Sequence, residues 1–516
     1  MNCIFITIFL QVKYIEMFFI LLESLYIFGD LDSNTEILIY TSTKFMNIIK
    51  QSHLYNKNIK FEINDDYDNL DKACKSRLDL FNLSSIQNYE KIIYLDTDIL
   101  IKGNINNIFD ICKEDILYAL EEGTIDSKLD YWGTSLFKDE ANNYEDKTAF
   151  CSGILLFKNC SKIKELFEII KISIKSNEHF FHDQPYFVYN AFKYNLYNNK
   201  LLKHYCVNNN FNSNSNFIIH HFPGGPGIHM KKIPVMNEFL IELKNNIIDI
   251  NIENTKNFIN ENLLPIIHNT KENLEGNIFM LHNTTKYTNV YEKKKKNISN
   301  LVLNKNITNV MEIGFNAGFS TLLMLISNPN LKITCFDLGL HKYTKPCYDK
   351  IKETFGDRIN LILGDSKKTL PTINNHFELI HIDGGHSTDV AESDIINSYR
   401  LSKQGTILIM DDYDFSNLRI LWDKYIDQYD LKLVNVSIFD TKQQDIKYVN
   451  KNSIKYQLED YNLKGCYCKY KKDARIFWSN SSEDIKPDIF FTSEEHYHKH
   501  RENNGYPKNW QFIKTI

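Results

Sequence analysis

Asp96 and Asp98 stand one residue apart where an apolar run, Lys91-Ile92-Ile93-Tyr94-Leu95, comes to an end. On a strand that spacing turns both carboxylates the same way, and at a strand end both can reach one divalent cation. Hard cations such as Mg²⁺ and Mn²⁺ take oxygen ligands, keep several waters and favour sites completed by substrate phosphates. The pair therefore suggests a metal that grips a diphosphate; two solvated turn carboxylates are the plain alternative. A second acidic set lies in the other half of the chain. One buried run ends in Asp383, with His386 three residues on, and another ends in the adjacent Asp411 and Asp412. Three carboxylates from neighbouring strand ends can hold one Mg²⁺. An imidazole beside them suits removal of a hydroxyl proton whose pKa the metal has lowered. The plain alternatives are a turn histidine after Gly384-Gly385 and solvated strand-end acids.

Both sets need a sheet that presents strand ends together. In the first half, residues 3–9, 36–41 and 59–63 read as strands and residues 12–28 and 44–52 as helices. Such alternation argues for a parallel sheet with helices on both faces, whose ligands sit at the carboxyl ends of the strands. In the second half, the strand ending at Ile313 runs into Gly314 and Gly318 and then a helix, a turn that lets a ligand approach the backbone. Asp337 ends the next strand, placed for ribose hydroxyls, and Asp365 ends the one after, placed for an adenine edge. Glu312, Gly314, Gly318, Asp337 and Asp365 are thus candidate cofactor-binding residues. No third glycine completes G-x-G-x-x-G, which separates this ladder of acids from a dehydrogenase. Residues 431–439 and 474–478 read as closing strands of the second sheet; the polar, aromatic tail from 479 has no assignment.

The 516 residues suggest two to four domains, and 43% hydrophobic with 24% charged residues is a globular composition. A net charge of −5 implies no nucleic-acid partner, and the one basic run, Lys293 to Lys296, reads as a solvated linker. Ten cysteines without a C-x-x-C pair fit a reducing, cytoplasmic compartment. Lys13, Glu16 and Glu23 interrupt the apolar N-terminus, so a spanning helix is not expected. Abundant Asn, Ile and Lys suggest an AT-rich coding genome such as that of a large DNA virus. The expected domains are residues 1–235, a helical joint at 236–299, residues 300–480, and an unassigned tail at 481–516.

Over residues 1–235 the chain resembles glycosyltransferase family eight, the glycogenin-like enzymes. The resemblance rests on Phe5-Ile6-Thr7 with Tyr14, Ser76-Arg77-Leu78, Tyr94-Leu95-Asp96-Thr97-Asp98, Ser152-Gly153-Ile154, His182-Asp183-Gln184 and His221-Phe222-Pro223-Gly224, in that order. It implies a UDP-hexose donor, Mn²⁺ or Mg²⁺, and retention of anomeric configuration. Asp96, Asp98 and His221 fall on the metal ligands, with His220 as the alternative histidine. Thr7 and Tyr14 fall where the uridine is held, and Arg77 near the donor phosphates. Asp183 and Gln184 fall on the catalytic acidic-amide pair facing the sugar; they can equally cap the helix that follows. The chain departs from the family pattern in having Cys151 where an asparagine is common, and in lacking a lysine soon after His221. The glycine-rich stretch from Gly224 offers backbone N–H groups to phosphate instead.

Over residues 300–480 the chain resembles class I S-adenosylmethionine-dependent methyltransferases, especially the metal-dependent sugar O-methyltransferases. Asp383, Asp411 and Asp412 fall on that group's Mg²⁺ ligands and His386 on its base. The two resemblances together imply an α/β protein of two Rossmann-like doubly wound domains, the first of nucleotide-diphospho-sugar transferase type. The expected protein transfers a hexose and methylates a sugar hydroxyl, with a nucleotide sugar and a glycan or glycoprotein acceptor as partners. Homo-oligomerisation stays open. The alternatives are a methyltransferase with a degenerate sugar-binding domain, and a non-catalytic scaffold.

Overall fold

The computed structural model describes residues 1–125, 130–144, 147–176, 179, 182–210, 212–224, 229–434 and 442–451, and three short strands beyond them. Two compact units are present, one built mainly on residues 1–240 and the other on 241–454.

The first unit opens with β1 (Asn2–Ile8), the helix Val12–Phe28, β2 (Thr35–Thr41), the helix Thr43–Gln51 and β3 (Ile59–Ile63). These bounds lie within a residue of those read from the apolar pattern. Next come β4 (Lys91–Leu95), β5 (Ile99–Ile101), β6 (Leu117–Thr124), β7 (Thr148–Lys158), β8 (Tyr197–Asn198), β9 (Cys206–Asn208) and β10 (Ile219–His221). A seven-stranded sheet runs β3-β2-β1-β4-β7-β6-β8. Its first four strands are parallel, while β7 runs antiparallel to both β4 and β6. The near-continuous Ile, Leu and Phe of β1, β4 and β7 are buried on both faces, as a helix-covered parallel sheet requires. An aromatic core including Phe5, Phe150, Phe157 and Phe167 packs against one side. A small second sheet, β5-β10-β9, pairs His221 with Ile99 and His220 with Leu100.

The second unit has β11 (Asn309–Ile313), β12 (Lys332–Asp337), β13 (Ile359–Leu363), β14 (Phe377–Ile382), β15 (Ser402–Met410), β16 (Leu431–Leu433) and β17 (Asp445–Val449). The order is β13-β12-β11-β14-β15-β17-β16. β11 to β15 are parallel neighbours and the last two strands antiparallel. The order reverses between β11 and β14, so their carboxyl ends flank a crevice where ligands collect. Helices His229–Phe258, Leu264–Thr270 and Glu292–Val302 lie in the stretch read as a joint, with residues 271–291 outside any helix. From Ile241 that stretch is part of the second unit rather than a separate joint.

Two expectations are corrected. The strand Ala474–Trp478 does not close the second sheet; it pairs with Phe490–Phe491 and Trp510–Lys514 in a separate three-stranded sheet. The unforeseen strand is β17, inserted antiparallel between β15 and the edge strand β16; its polar Asp445 and Lys447 leave it no continuous apolar run. The strand begun at Leu431 ends at Leu433, and residues 435–439 of the expected strand lie outside the described residues. Among the described residues no helix is long and apolar enough to cross a membrane.

Candidate active sites

In the first unit β4 ends at Leu95, so Asp96 and Asp98 stand on the rim. The pairing of β10 with β5 then carries His221 to the same rim, where the Phe222 N–H donates to the Asp98 carbonyl at 2.9 Å. One ligand atom each of Asp96, Asp98 and His221 lies within 4.8 Å of the others. Side chains alternate along β10, so His220 points elsewhere, fully buried, with Nδ1 2.7 Å from the Asn210 carbonyl. His221 Nε2 lies 3.5 Å from Asp98 Oδ1, and its Nδ1 is held 2.9 Å from Asn208 Oδ1. A cation is admitted by the wall: a Cβ on Gly153 would lie 2.6 Å from His221 Cε1 and 2.8 Å from Asp96 Oδ2, filling the cradle. Two carboxylates and an imidazole around a space kept open by glycine fit a divalent ion.

The charges are not those of free carboxylates. Burial alone would raise Asp98, but Lys232 and His221 hold it well below the usual range. Burial pushes Asp96 up, with Arg77 partly offsetting this. Burial pulls the His221 imidazole down, yet Asp98 outweighs it and holds the ring at about 10. Tyr14 is pushed up by burial first, with Cys74, Asp98 and Asp96 adding to it, so its phenol is neutral beside the rim. Thr7 Oγ1 lies 3.5 Å from the Tyr94 hydroxyl, which in turn donates to Asp96 Oδ1 at 2.5 Å.

Arg77 is spent on protein partners. Its Nε and Nη2 donate to the two Asp183 oxygens at 2.6 and 2.7 Å, and Nη1 donates to the Ser152 carbonyl at 2.6 Å. Asp96 Oδ1 is 3.7 Å from Nη1. Asp183 occupies the N-cap position of the helix Gln184–Lys193, but its side chain makes no cap bond and turns to Arg77. Gln184 Oε1 accepts from the Ser152 N–H at 3.2 Å. The cation that sequence reading missed is Lys232. It is 7% exposed, and its Nζ donates to Asp98 Oδ2 at 2.5 Å and to the Gly224 carbonyl at 3.2 Å. Its only signal in the sequence was the Lys231-Lys232 pair after the glycine-rich stretch, and spacing alone does not select Lys232 from that pair. Gly225 to Ile228 lie outside the described residues.

In the second unit Asp383 follows β14 and Asp411 and Asp412 follow β15. The Asp383 N–H donates to the Ile313 carbonyl at 2.9 Å and the Asp411 N–H to the Ile382 carbonyl at 3.0 Å, so the three acids continue the sheet's rim. His386 Nε2 lies 3.0 Å from Asp412 Oδ2. That hydrogen bond and the Asp412 charge raise the His386 imidazole. With Nε2 donating to a carboxylate, Nδ1 is the nitrogen left to take a proton. Asp337 Oδ2 accepts from the Asn316 N–H and Oδ1 from the Gly339 N–H, both at 2.7 Å. Gly314 and Gly318 have φ of +97° and +77°.

Two expectations change here. Glu312 is fully buried and bonds Thr321 and, at 3.0 Å, His381 Nδ1; it ties strands and helix together rather than facing a ligand. Asp365 has a further role, its Oδ1 capping the short helix Ser366–Thr369 by accepting from the Lys367 N–H at 3.0 Å. The basic run is not a solvated linker: it lies on the helix Glu292–Val302, whose period leaves Lys293 exposed and buries Lys294 and Lys295. Lys294 Nζ bonds Asp411 and, at 2.8 Å, Asp412 Oδ1. Burial lowers its pKa, but Asp411, Asp412 and Asp383 outweigh that and keep it a cation. Asp383 is pushed well up, by burial first and then Asp411.

These acids do not fit a divalent ion as the first set does. His381, Asp383 and Asp411 each offer an atom within 4.8 Å of the others. Yet both His381 nitrogens are engaged, Nδ1 by Glu312 and Nε2 by Asp411 Oδ2 at 3.0 Å. Lys294 already holds Asp411 and Asp412.

Residues 30–222 match the model of glycosyl transferase family 8, and residues 311–413 match that of a methyltransferase domain. A search of curated proteins finds no match. Among solved structures, mouse xyloside xylosyltransferase 1 is 12% identical, covering 43% of this chain and 98% of its own, with a TM-score of 0.32. A SAH-bound methyltransferase from Podospora anserina is 16% identical over 30% of this chain and 76% of its own, with a TM-score of 0.26. A TDP-rhamnose 3'-O-methyltransferase of calicheamicin biosynthesis is 16% identical over 30% and 77%, with a TM-score of 0.25. The chain thus joins a family 8 glycosyltransferase domain to a methyltransferase domain and is an enzyme of both transferase classes.

Proposed function

We propose that the first domain transfers a hexose from a UDP-sugar with retention and that the second methylates a sugar hydroxyl from S-adenosylmethionine. The observation that carries the reading is the convergence of Asp96, Asp98 and His221 around the space left by Gly153, with Lys232 against it. A divalent cation, Mn²⁺ or Mg²⁺, held there would neutralise charge developing on a departing diphosphate. Lys232 supplies the basic group that Arg77 cannot, because the Arg77 guanidinium is committed to Asp183 and Ser152. Arg77 and Asp183 act as a buried clamp that sets Gln184 at the head of its helix, toward the sugar. Thr7 and Tyr14 hold the base, and the Gly224 backbone borders the phosphates. A glycan or glycoprotein is the acceptor.

In the second domain Gly314 and Gly318 let the cofactor approach the backbone, and Asp337 takes the ribose hydroxyls. The acceptor oxygen bonds to the sulfonium methyl, the carbon–sulfur pair returns to sulfur, and His386 Nδ1 takes the hydroxyl proton. The deciding experiment measures UDP release from a panel of UDP-sugars with Mn²⁺. Turnover is expected in the wild type, with a loss of at least about 100-fold in Asp98→Ala. Equal UDP release from both proteins would remove the first half of the reading.

A further inference from the structure

An ammonium offers three N–H donors and one fixed charge on a four-carbon stem. Lys294 brings such a group into the acid cluster of the second unit while only 6% exposed. The helix Glu292–Val302 makes this possible by burying Lys294 and Asn297, one turn apart, on the same face. The oxygens of Asp411 are then all taken. Oδ1 meets Lys294 Nζ and the Asp412 N–H at 2.7 Å. Oδ2 accepts from Gln444 Nε2 at 2.8 Å and lies 3.0 Å from His381 Nε2. Gln444 is itself set by Asn297, whose Nδ2 donates to Gln444 Oε1 at 3.2 Å. Asp412 gives Oδ1 to Lys294 at 2.8 Å and Oδ2 to His386 at 3.0 Å. Two of the three carboxylates expected to ligate Mg²⁺ are therefore committed, oxygen by oxygen, to protein donors. Mg²⁺ demands near-octahedral oxygen ligation at about 2.0–2.1 Å, which this arrangement could supply only by surrendering Lys294.

We infer that the Lys294 ammonium is the resident cation of the methyl-transfer site, standing where a divalent metal was expected, so that methylation proceeds without added metal. The inference rests on the proposed reading of this rim as the methyl-transfer site. Lys294 is a positioning residue: it fixes Asp412, which orients His386, and it lends one positive charge to the place where the acceptor oxygen sheds its proton. A single charge lowers a hydroxyl's pKa less than a metal does. The step then leans on His386, whose Nδ1 receives the proton as the carbon–oxygen bond forms and the carbon–sulfur bond breaks.

Mn²⁺ counting by electron paramagnetic resonance on the full chain tests this, after stripping with chelator. Asp98→Ala silences the first domain's site, and the melting shift on adding S-adenosylmethionine reports an intact second domain. Asp98→Ala is expected to bind no Mn²⁺ into the millimolar range. Asp98→Ala/Lys294→Ala is expected to gain one Mn²⁺ per chain, lost again when Asp411→Asn is added. A Mn²⁺ bound by Asp98→Ala and removed by Asp411→Asn would overturn the inference. So would a Lys294→Ala protein that keeps its S-adenosylmethionine shift yet gains no Mn²⁺. If removal of Lys294 prevents folding, the Asp98→Ala count, with and without Asp411→Asn, decides by itself. Absence of any S-adenosylmethionine shift in the wild type would instead sink the underlying reading.

Discussion

Asp183 is 2% exposed, and both its oxygens rest on one guanidinium. Removing one partner of a buried pair strands the other charge, which costs about 3–5 kcal/mol. Arg77→Ala is therefore expected to lose about that much stability in urea unfolding. Arg77→Lys should recover little, because a single ammonium cannot span both oxygens and also reach Ser152. At this scale Arg77, expected near the donor phosphates, is committed to Asp183 and Ser152 instead, whereas Asp96, Asp98 and, with His220 as the alternative, His221 were named from short ordered segments. Lys232 and Lys294 were not. Each is one of several lysines in its stretch, and helical phase together with distant acids, rather than local spacing, selects the one that turns inward.

Among the described glycines of the second unit, the one at the strand-to-helix turn, Gly314, leaves the least room for a side chain. Its φ is +97°, and a Cβ there would sit 1.9 Å from the Asp383 carbonyl oxygen, an atom of the neighbouring strand end. Gly314→Ala must push β11 from β14, so a loss of about 4 kcal/mol or more is expected, with the melting shift on S-adenosylmethionine abolished. The helix Val12–Phe28 gives a milder and pH-dependent case. Burial pushes the Glu16 carboxyl up from 4.5 to about 7, Lys13 offsetting part of it. The folded value lies above the unfolded one, so the folded state binds the proton more tightly and ionisation costs stability. That cost is absent below about 4.5, grows between about 4.5 and about 7, and is complete above about 7. Glu16→Gln is expected to raise the melting temperature at about pH 8 by the equivalent of roughly 1–2 kcal/mol, reduced by partial exposure, with the gain gone by about pH 4. Differential scanning fluorimetry across pH reads both the size and the window.

Across the whole molecule, each unit has its own sheet and its own apolar cluster, one around Phe5, Phe157 and Phe167 and the other around Met311, Ile380 and Trp422. Ligand protection should divide accordingly. Hydrogen exchange is expected to slow on adding S-adenosylmethionine chiefly within residues 311–413, and on adding UDP with Mn²⁺ chiefly within residues 30–222. At 100 times its Kd a ligand stabilises by about 2.7 kcal/mol, enough to be read peptide by peptide. Protection by both ligands in a single segment would contradict two separate sites.

The order of apolar runs, the acids that end them and the glycines at the turns were enough to indicate two α/β sheets and the acidic rim of each. Those features are local, because a buried parallel strand must be apolar along its length and a ligand-facing rim must be polar or glycine. The partners of those acids were decided only on folding. β10 had to pair with β5 before His221, rather than His220, met Asp98, and the helix Glu292–Val302 had to dock before Lys294 met Asp411. Registers and helix phases of that kind depend on contacts between residues more than a hundred positions apart, and no stretch of sequence carries them alone.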